Sequence, residues 1–131
     1  MELAMVMYNL LIDKNIPIDG CCPDVDKTGV PRVDYKAEAT PGEIAIGDKI
    51  ADGFNKADIV VDGATITATV DESDTSIVFT AYNTGGVLQQ RKTITTVAGM
   101  ADYEIVLMPG AYVICACGII SYMSGFIEVT V

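Results

Sequence analysis

The chain has 131 residues, which is enough for one ordinary domain or for two very small domains packed together. Hydrophobic residues make up 50% of it and charged residues 20%, so it has the apolar side chains that a folded core needs. Histidine is absent, which excludes catalytic triads and dyads that use a histidine base, and also histidine metal ligands. The net charge of -10 would be repelled by nucleic acid and by an anionic membrane, so we expect neither as a partner.

The apolar start of the chain predicts a short amphipathic helix over residues 2–13. Its apolar side chains recur three or four residues apart, at Leu3, Val6, Met7, Leu10 and Leu11. The segment has no basic residues at its start, contains Glu2 and is too short to cross a bilayer. We therefore expect a helix that the mature protein retains, and not a signal sequence.

A second helix is predicted to begin near residue 41, after a stretch of turns with room for one small hairpin over residues 15–35. Thr40 supplies an N-cap, Pro41 stands at the first helical position and Glu43 completes a capping box. Ile50 and Phe54 lie on the apolar face of this helix.

The pattern changes after Lys56 to consecutive strands separated by turns. Seven strands are predicted, over residues 58–61, 65–70, 76–83, 87–97, 103–107, 111–117 and 125–131. Their lengths and spacing favour an antiparallel β-sandwich of immunoglobulin-like type. We therefore predict an α+β, mainly β fold with two regions, residues 1–57 carrying the helices and residues 58–131 forming the sandwich.

Residues 111–117 are nearly all apolar, which is typical of a strand that is covered on both faces. One face would pack on the second sheet of the sandwich. The other face could be covered by the N-terminal helices or by another protein chain.

The four cysteines occur as close pairs, Cys21 with Cys22 and Cys115 with Cys117. Residues this near in sequence are poorly placed to form a disulfide with each other, and neither pair has the spacing of a zinc site. We expect free, buried thiols of the kind that a reducing cytoplasm maintains, no metal centre and no cofactor.

The best match to a metal-binding motif is the acidic turn that holds Asp24, Asp26 and Thr28. These residues and the glycine after them match the opening of a calcium-binding EF-hand loop, but Tyr35 stands where the final glutamate should be. The sequence favours a solvated acidic turn over a calcium site and does not decide between them.

Four short segments of the N-terminal half form a recognisable series: Ile16-Pro-Ile-Asp-Gly20, Arg32-Val-Asp-Tyr35, Ala39-Thr-Pro-Gly-Glu43 and Phe54-Asn55. In this order they resemble a helix-hairpin-helix module of tailed-bacteriophage virion proteins. The resemblance covers about residues 8–55 and brings no catalytic residues with it. Residues 75–120 are similar to immunoglobulin-like domains on phage and bacterial surfaces, a fold with many functions.

These resemblances imply a non-enzymatic virion structural protein, and we predict a capsid decoration (cement) protein. We expect it to bind other virion proteins as a homo-oligomer or on a lattice, and to be located in the virion after assembly in the host cytoplasm. The predicted docking side chains are the apolar helix residues Leu3, Val6, Leu10, Ile50 and Phe54. The alternatives are a tail or fibre accessory protein, and a glycan-binding surface module whose contacts would be Asn83, Tyr122 and the acidic loops.

Overall fold

A computed structural model describes residues 3–22 and 31–131. The helices in these ranges are α1 (Leu3–Asp13) and α2 (Pro41–Gly53). The strands are β1 (Ile18–Cys22), β2 (Arg32–Tyr35), β3 (Asp58–Asp62), β4 (Thr65–Thr69), β5 (Ser76–Asn83), β6 (Leu88–Thr95), β7 (Met100–Glu104), β8 (Ala111–Gly118) and β9 (Ser124–Thr130). The fold is therefore α+β and mainly β, as predicted.

The N-terminal region consists of α1, the antiparallel pair β1–β2, and α2. The predicted capping box of α2 is confirmed. The Thr40 hydroxyl accepts a hydrogen bond from the backbone N–H of Glu43, and the Glu43 carboxylate accepts one from the backbone N–H of Thr40. The start of α2 is thus fixed by contacts within four consecutive residues.

The C-terminal region contains a three-stranded sheet of order β3-β4-β7 and a four-stranded sheet of order β6-β5-β8-β9, both antiparallel. Alternate residues of the two sheets meet in one hydrophobic cluster. At its centre the rings of Phe79 on β5 and Tyr103 on β7 stack with centroids 5.2 Å apart. The Tyr103 hydroxyl donates a hydrogen bond to the side-chain oxygen of Gln90 on β6.

Strand β7 lies earlier in the chain than the predicted strand over residues 103–107. Met100–Glu104 pairs with β4, whose first residue, Thr65, lies opposite Glu104. The Ile105 N–H still reaches the carbonyl of Ala64, but no residue of β4 remains to continue the ladder. The apolar run after Glu104 therefore becomes a loop, although its composition is typical of a strand.

The outer face of the four-stranded sheet is covered by the N-terminal region. A second hydrophobic cluster joins α1, β1 and α2 to side chains on β5 and β8. The sheet side chains in this cluster are Tyr82, Val113, Cys115 and Cys117. Residues 111–117 are thus covered on both faces, as predicted, and the second cover is this chain's own helices.

Candidate interaction surfaces

The predicted docking side chains on the helices lie inside the molecule. Val6 and Leu10 on α1, Ile50 on α2, and Phe54 are all buried in the cluster against the four-stranded sheet. The ring of Phe54 stacks on that of Phe126 from β9, with centroids 6.3 Å apart. These four side chains hold the N-terminal region on its own sheet, so they are not free to contact a partner. Leu3 lies in α1, and its side chain is outside the described part of the structure.

The opposite side of α1 is apolar as well and faces solvent. Met5, Tyr8 and Ile12 are each more than two-fifths exposed, and their spacing of three and four residues places them on one side of the helix. We call these three residues the outer stripe of α1. A surface helix normally carries polar residues on its outward side, so this stripe is a candidate contact surface.

An ion pair fixes the C-terminal end of α1 beside β6. The Arg91 guanidinium on β6 contacts the Asp13 carboxylate, whose side chain is 10% exposed. An aspartate in the last turn of a helix is disfavoured by the helix dipole, and the arginine offsets that effect. The pair lies in a shallow depression of about 370 Å³ that Ile12 and Leu88 also line.

The four thiols fall into two environments. Cys115 and Cys117 are buried beneath the N-terminal region, and burial raises the pKa of Cys115 to about 12 and that of Cys117 to about 11. Cys21 and Cys22 on β1 are half-buried, and burial also raises the pKa of the Cys21 thiol. Raised pKa values leave little thiolate near neutral pH, so these environments do not activate Cys21, Cys115 or Cys117 as nucleophiles.

Asp74 is the buried carboxylate of the described structure, and it binds the β8–β9 loop. It accepts hydrogen bonds from the backbone N–H groups of Ile120 at 2.7 Å and Ser121 at 2.8 Å. The Ser121 hydroxyl donates to its second oxygen at 2.5 Å. Backbone and hydroxyl donors thus occupy both oxygens, and the geometry gives Asp74 a structural role.

The candidate calcium ligands Asp24, Asp26 and Thr28 lie outside the described residues. Across residues 3–22 and 31–131, no group of three or more Cys, Asp or Glu side chains could hold a metal ion.

The two candidate glycan contacts have structural partners within the chain. The Asn83 side-chain oxygen accepts hydrogen bonds from the backbone N–H groups of Gly85 and Val87, which shapes the β5–β6 turn. Tyr122 packs against the N-terminal cluster. Both side chains are partly buried.

Three loops and the last residue meet at one end of the two sheets. The register places Asp62 opposite Thr65, Asn83 opposite Tyr112, and Ala111 opposite Thr130, so these strand ends share that side. We define the apolar end as residues 61–64, 84–88, 105–110 and 131. Its exposed large side chains are Val61, Val87, Leu88, Val106, Met108 and Val131.

A depression of about 390 Å³ opens between the two sheets at the apolar end. Val61, Ala64 and Ile105 line it from the three-stranded side, and Val129 and Val131 line it from the four-stranded side. Beside it, Val106 is 70% exposed and Met108 is 80% exposed. The apolar end thus carries both a recess and protruding apolar side chains.

Comparison with protein-family models and with curated proteins found no match. Within residues 3–22 and 31–131, no helix is long and apolar enough to cross a membrane.

Sequence reasoning did not identify the outer stripe of α1 or the apolar end as contact surfaces. The sequence pattern predicts a strand over residues 103–107, which would place most of the run Ile105-Val-Leu-Met108 against a sheet. A sequence signal was nevertheless present, since residues 105–113 contain no charged side chain. That signal becomes informative only when the structure shows that this run is exposed.

Proposed function

We propose that this chain is a non-enzymatic structural protein of a tailed-phage virion that acts as a capsid decoration protein. The observation that carries the proposal is the outer stripe of α1, an exposed apolar surface of which Tyr8 and Ile12 lie in the segment that resembles a virion module. A helix that is apolar on both sides is stable on a protein surface when a partner covers its outward side. We take the capsid to be that partner.

The order of elements supports the fold part of this proposal. Helix α1, the antiparallel pair β1–β2 and helix α2 follow one another as in the helix-hairpin-helix module. For an immunoglobulin-like sandwich, the strands β3 to β9 take the letters A, B, C, C′, E, F and G. The orders β3-β4-β7 and β6-β5-β8-β9 then read A-B-E and C′-C-F-G, which is the order such domains use.

The matched N-terminal segments have structural roles, which favours a module that binds over one that catalyses. Tyr35 ends the Arg32-Val-Asp-Tyr35 segment, and its hydroxyl donates a hydrogen bond to the Asp48 carboxylate on α2 at 2.7 Å. Thr40 caps α2, and Phe54 packs on the sheet. A body held together by such contacts, with the outer stripe of α1 exposed, suits a protein that reinforces a capsid.

The test is binding of purified variants to phage capsids that lack this chain. Tyr8→Asp and Ile12→Asp place a charge in the outer stripe, and we expect each to weaken co-sedimentation with capsids by about tenfold or more. The matched control is Val60→Asp, because Val60 is 62% exposed on β3, away from α1. Wild-type binding by both stripe variants would contradict attachment through α1.

Copy number distinguishes the capsid from the tail. Quantitative mass spectrometry of purified particles should find this chain at hundreds of copies per particle if it decorates the capsid lattice. A handful of copies would contradict capsid decoration and favour the tail or fibre alternative. Complete absence from particles would contradict the proposed function as a whole.

A further inference from the structure

Exposed large apolar side chains are more numerous at the apolar end than at the opposite end of the sheets. Residues 63–65, 84–90 and 105–113 contain no charged side chain and include most of the apolar end, where Asp62 is the exposed acidic residue. At the opposite end, the β4–β5 loop carries exposed Asp71 and Glu72. The outer face of the three-stranded sheet is also acidic, with exposed Asp58, Asp62, Asp102 and Glu104.

This distribution favours a second copy of the chain as the occupant of the apolar end. Two copies each carry a net charge of -10, so contact through the acidic surfaces would bring like charges together. Contact through the uncharged loops keeps Asp71 and Glu72 of the two copies far apart. A basic partner, in contrast, would be attracted to the acidic sheet face and would gain nothing from an uncharged surface.

The apolar end carries both protruding side chains and a recess, as a two-fold contact between identical surfaces needs. Met108 and Val106 protrude, and the depression lined by Val61, Ile105 and Val129 lies on the same end of the same chain. Two copies related by a two-fold axis can each insert an apolar side chain into the recess of the other. Glu128 lines the same depression, but it alternates with Val129 and so lies on the opposite face of β9.

We propose that the apolar end is the contact surface of a two-fold dimer of this chain, in which Met108 of each copy enters the depression of its partner. The dimer rests on the proposed function in one way: it is the form in which a decoration protein would bind the capsid lattice. The two can fail separately, since capsid attachment is assigned to α1 and self-association to the apolar end.

The experiment measures the mass of the full chain in solution by light scattering and analytical ultracentrifugation, from about 1 µM upward, since a small interface can be weak. We expect the mass to rise with concentration to that of two copies. Met108→Asp and Val106→Asp should each weaken association by about tenfold or more, because the new charge must be buried without a partner.

Val97→Asp is the matched control for Val106→Asp. Val97 is 80% exposed in the β6–β7 turn at the opposite end of the sheets, and the same substitution adds the same charge. We expect it to change the dissociation constant less than about twofold. Circular dichroism and the melting temperature of all three variants should match the wild type, because these side chains are exposed.

Ionic strength gives a second readout. An apolar contact between acidic bodies should strengthen with added salt, because screening reduces the repulsion between the two copies. Weaker association in salt would contradict an uncharged contact. A chain that stays monomeric at high concentration would overturn the proposal, and so would an oligomer that Met108→Asp leaves intact. Loss of capsid binding in a monomeric Met108→Asp chain, with a monomeric wild type, would assign the apolar end to another virion protein.

Discussion

At the scale of single residues, a glycine in α2 makes room for the side chain that joins this helix to the hairpin. Tyr35 on β2 lies over Gly47, and its hydroxyl reaches both the Asp48 carboxylate and the carbonyl oxygen of Ile44 at 3.1 Å. A Cβ atom built on Gly47 would collide with the Tyr35 hydroxyl and lie 2.7 Å from its ring carbon Cε1. Gly47 therefore costs helix propensity but allows this contact.

We predict opposite effects for two substitutions in α2. Gly47→Ala should lower the free energy of unfolding by roughly 1–3 kcal/mol, because the new methyl group displaces Tyr35. Gly42→Ala is the control, since only the Thr40 hydroxyl comes within 4.0 Å of its added Cβ, and it should raise stability by up to about 1 kcal/mol. Urea unfolding of both variants measures the difference. Equal effects of the same sign would show that Tyr35 does not restrict this position.

The buried thiols predict a loss of stability at alkaline pH. Their folded pKa values of about 12 and about 11 lie above the ordinary value of 9.0, so the unfolded chain releases these protons first as the pH rises. Above about pH 9, the free energy of unfolding should fall by about 1.4 kcal/mol per thiol for each pH unit until the folded thiols ionise. Below pH 9 these thiols should contribute no pH dependence.

The measurement is urea unfolding between about pH 8 and pH 9.5, where most tyrosines of ordinary pKa, about 10, keep their protons. A variant with Cys115→Ala and Cys117→Ala should show a shallower fall with pH, whatever its stability at pH 7. Cys21, whose pKa burial also raises, remains in this variant, so part of the fall should persist. An unchanged slope would mean that the two buried thiols are not the source of the pH dependence.

At the scale of elements, one carboxylate holds two loops together at the end opposite the apolar end. Asp74 lies in the β4–β5 loop, and three of its hydrogen bonds run to the β8–β9 loop. Its own carbonyl oxygen accepts a hydrogen bond from the Thr96 hydroxyl at 2.6 Å. Gly118, in β8, lies against the carboxylate, where any side chain would collide with it. These contacts fix the position at which β9 begins.

We predict that Asp74→Ala lowers the free energy of unfolding by roughly 2–3 kcal/mol, because the Ile120 and Ser121 N–H groups lose a charged acceptor. Asp74→Asn should cost less, because its amide oxygen can still accept both N–H groups. The control is Asp71→Ala in the same loop, where the carboxylate is exposed and accepts hydrogen bonds from the backbone N–H and the side chain of Ser73. Amide hydrogen exchange should show faster exchange at Ile120 and Ser121 in Asp74→Ala only. Equal destabilisation by the two alanine variants would exclude this role for Asp74.

At the scale of the whole molecule, the four-stranded sheet is the middle layer between the three-stranded sheet and the N-terminal region. The backbone at the end of α2 also lies against the backbone of the β8–β9 loop. A Cβ atom on Gly53 at the end of α2 would lie 2.8 Å from the carbonyl oxygen of Tyr122 in the β8–β9 loop. The predicted division at residue 57 therefore falls between two regions that share a hydrophobic cluster.

We predict that a chain reduced to residues 58–131 does not behave as a soluble domain. Removal of the N-terminal region would expose the sheet face that carries Tyr82, Val113 and Cys115, all of which are buried in the full chain. We expect aggregation in size-exclusion chromatography and strong binding of a hydrophobic dye, with the full chain as the control. A monodisperse 58–131 fragment with a cooperative thermal transition would contradict this prediction.

The sequence by itself determined the features that depend on neighbouring residues. The Thr40–Glu43 capping box places the start of α2, and the alternation along β4 marks a strand, because these signals arise within a few residues of one another. The apolar character of residues 111–117 also indicated correctly that both faces of this strand are covered. Hydrophobicity predicts that a side chain is buried, but not which surface covers it.

Only the tertiary structure decided how the apolar surfaces are used. Val6 and Leu10 could have faced a partner, and Met5 and Tyr8 could have faced the sheet, since α1 is apolar on both sides. Strand β7 ends at Glu104 because β4 offers no further partner, and this pairing joins residues far apart in the chain. The exposure of Val106 and Met108 follows from that ending. The hydrophobic effect has no direction, so the choice among apolar surfaces is made by the packing of the whole chain.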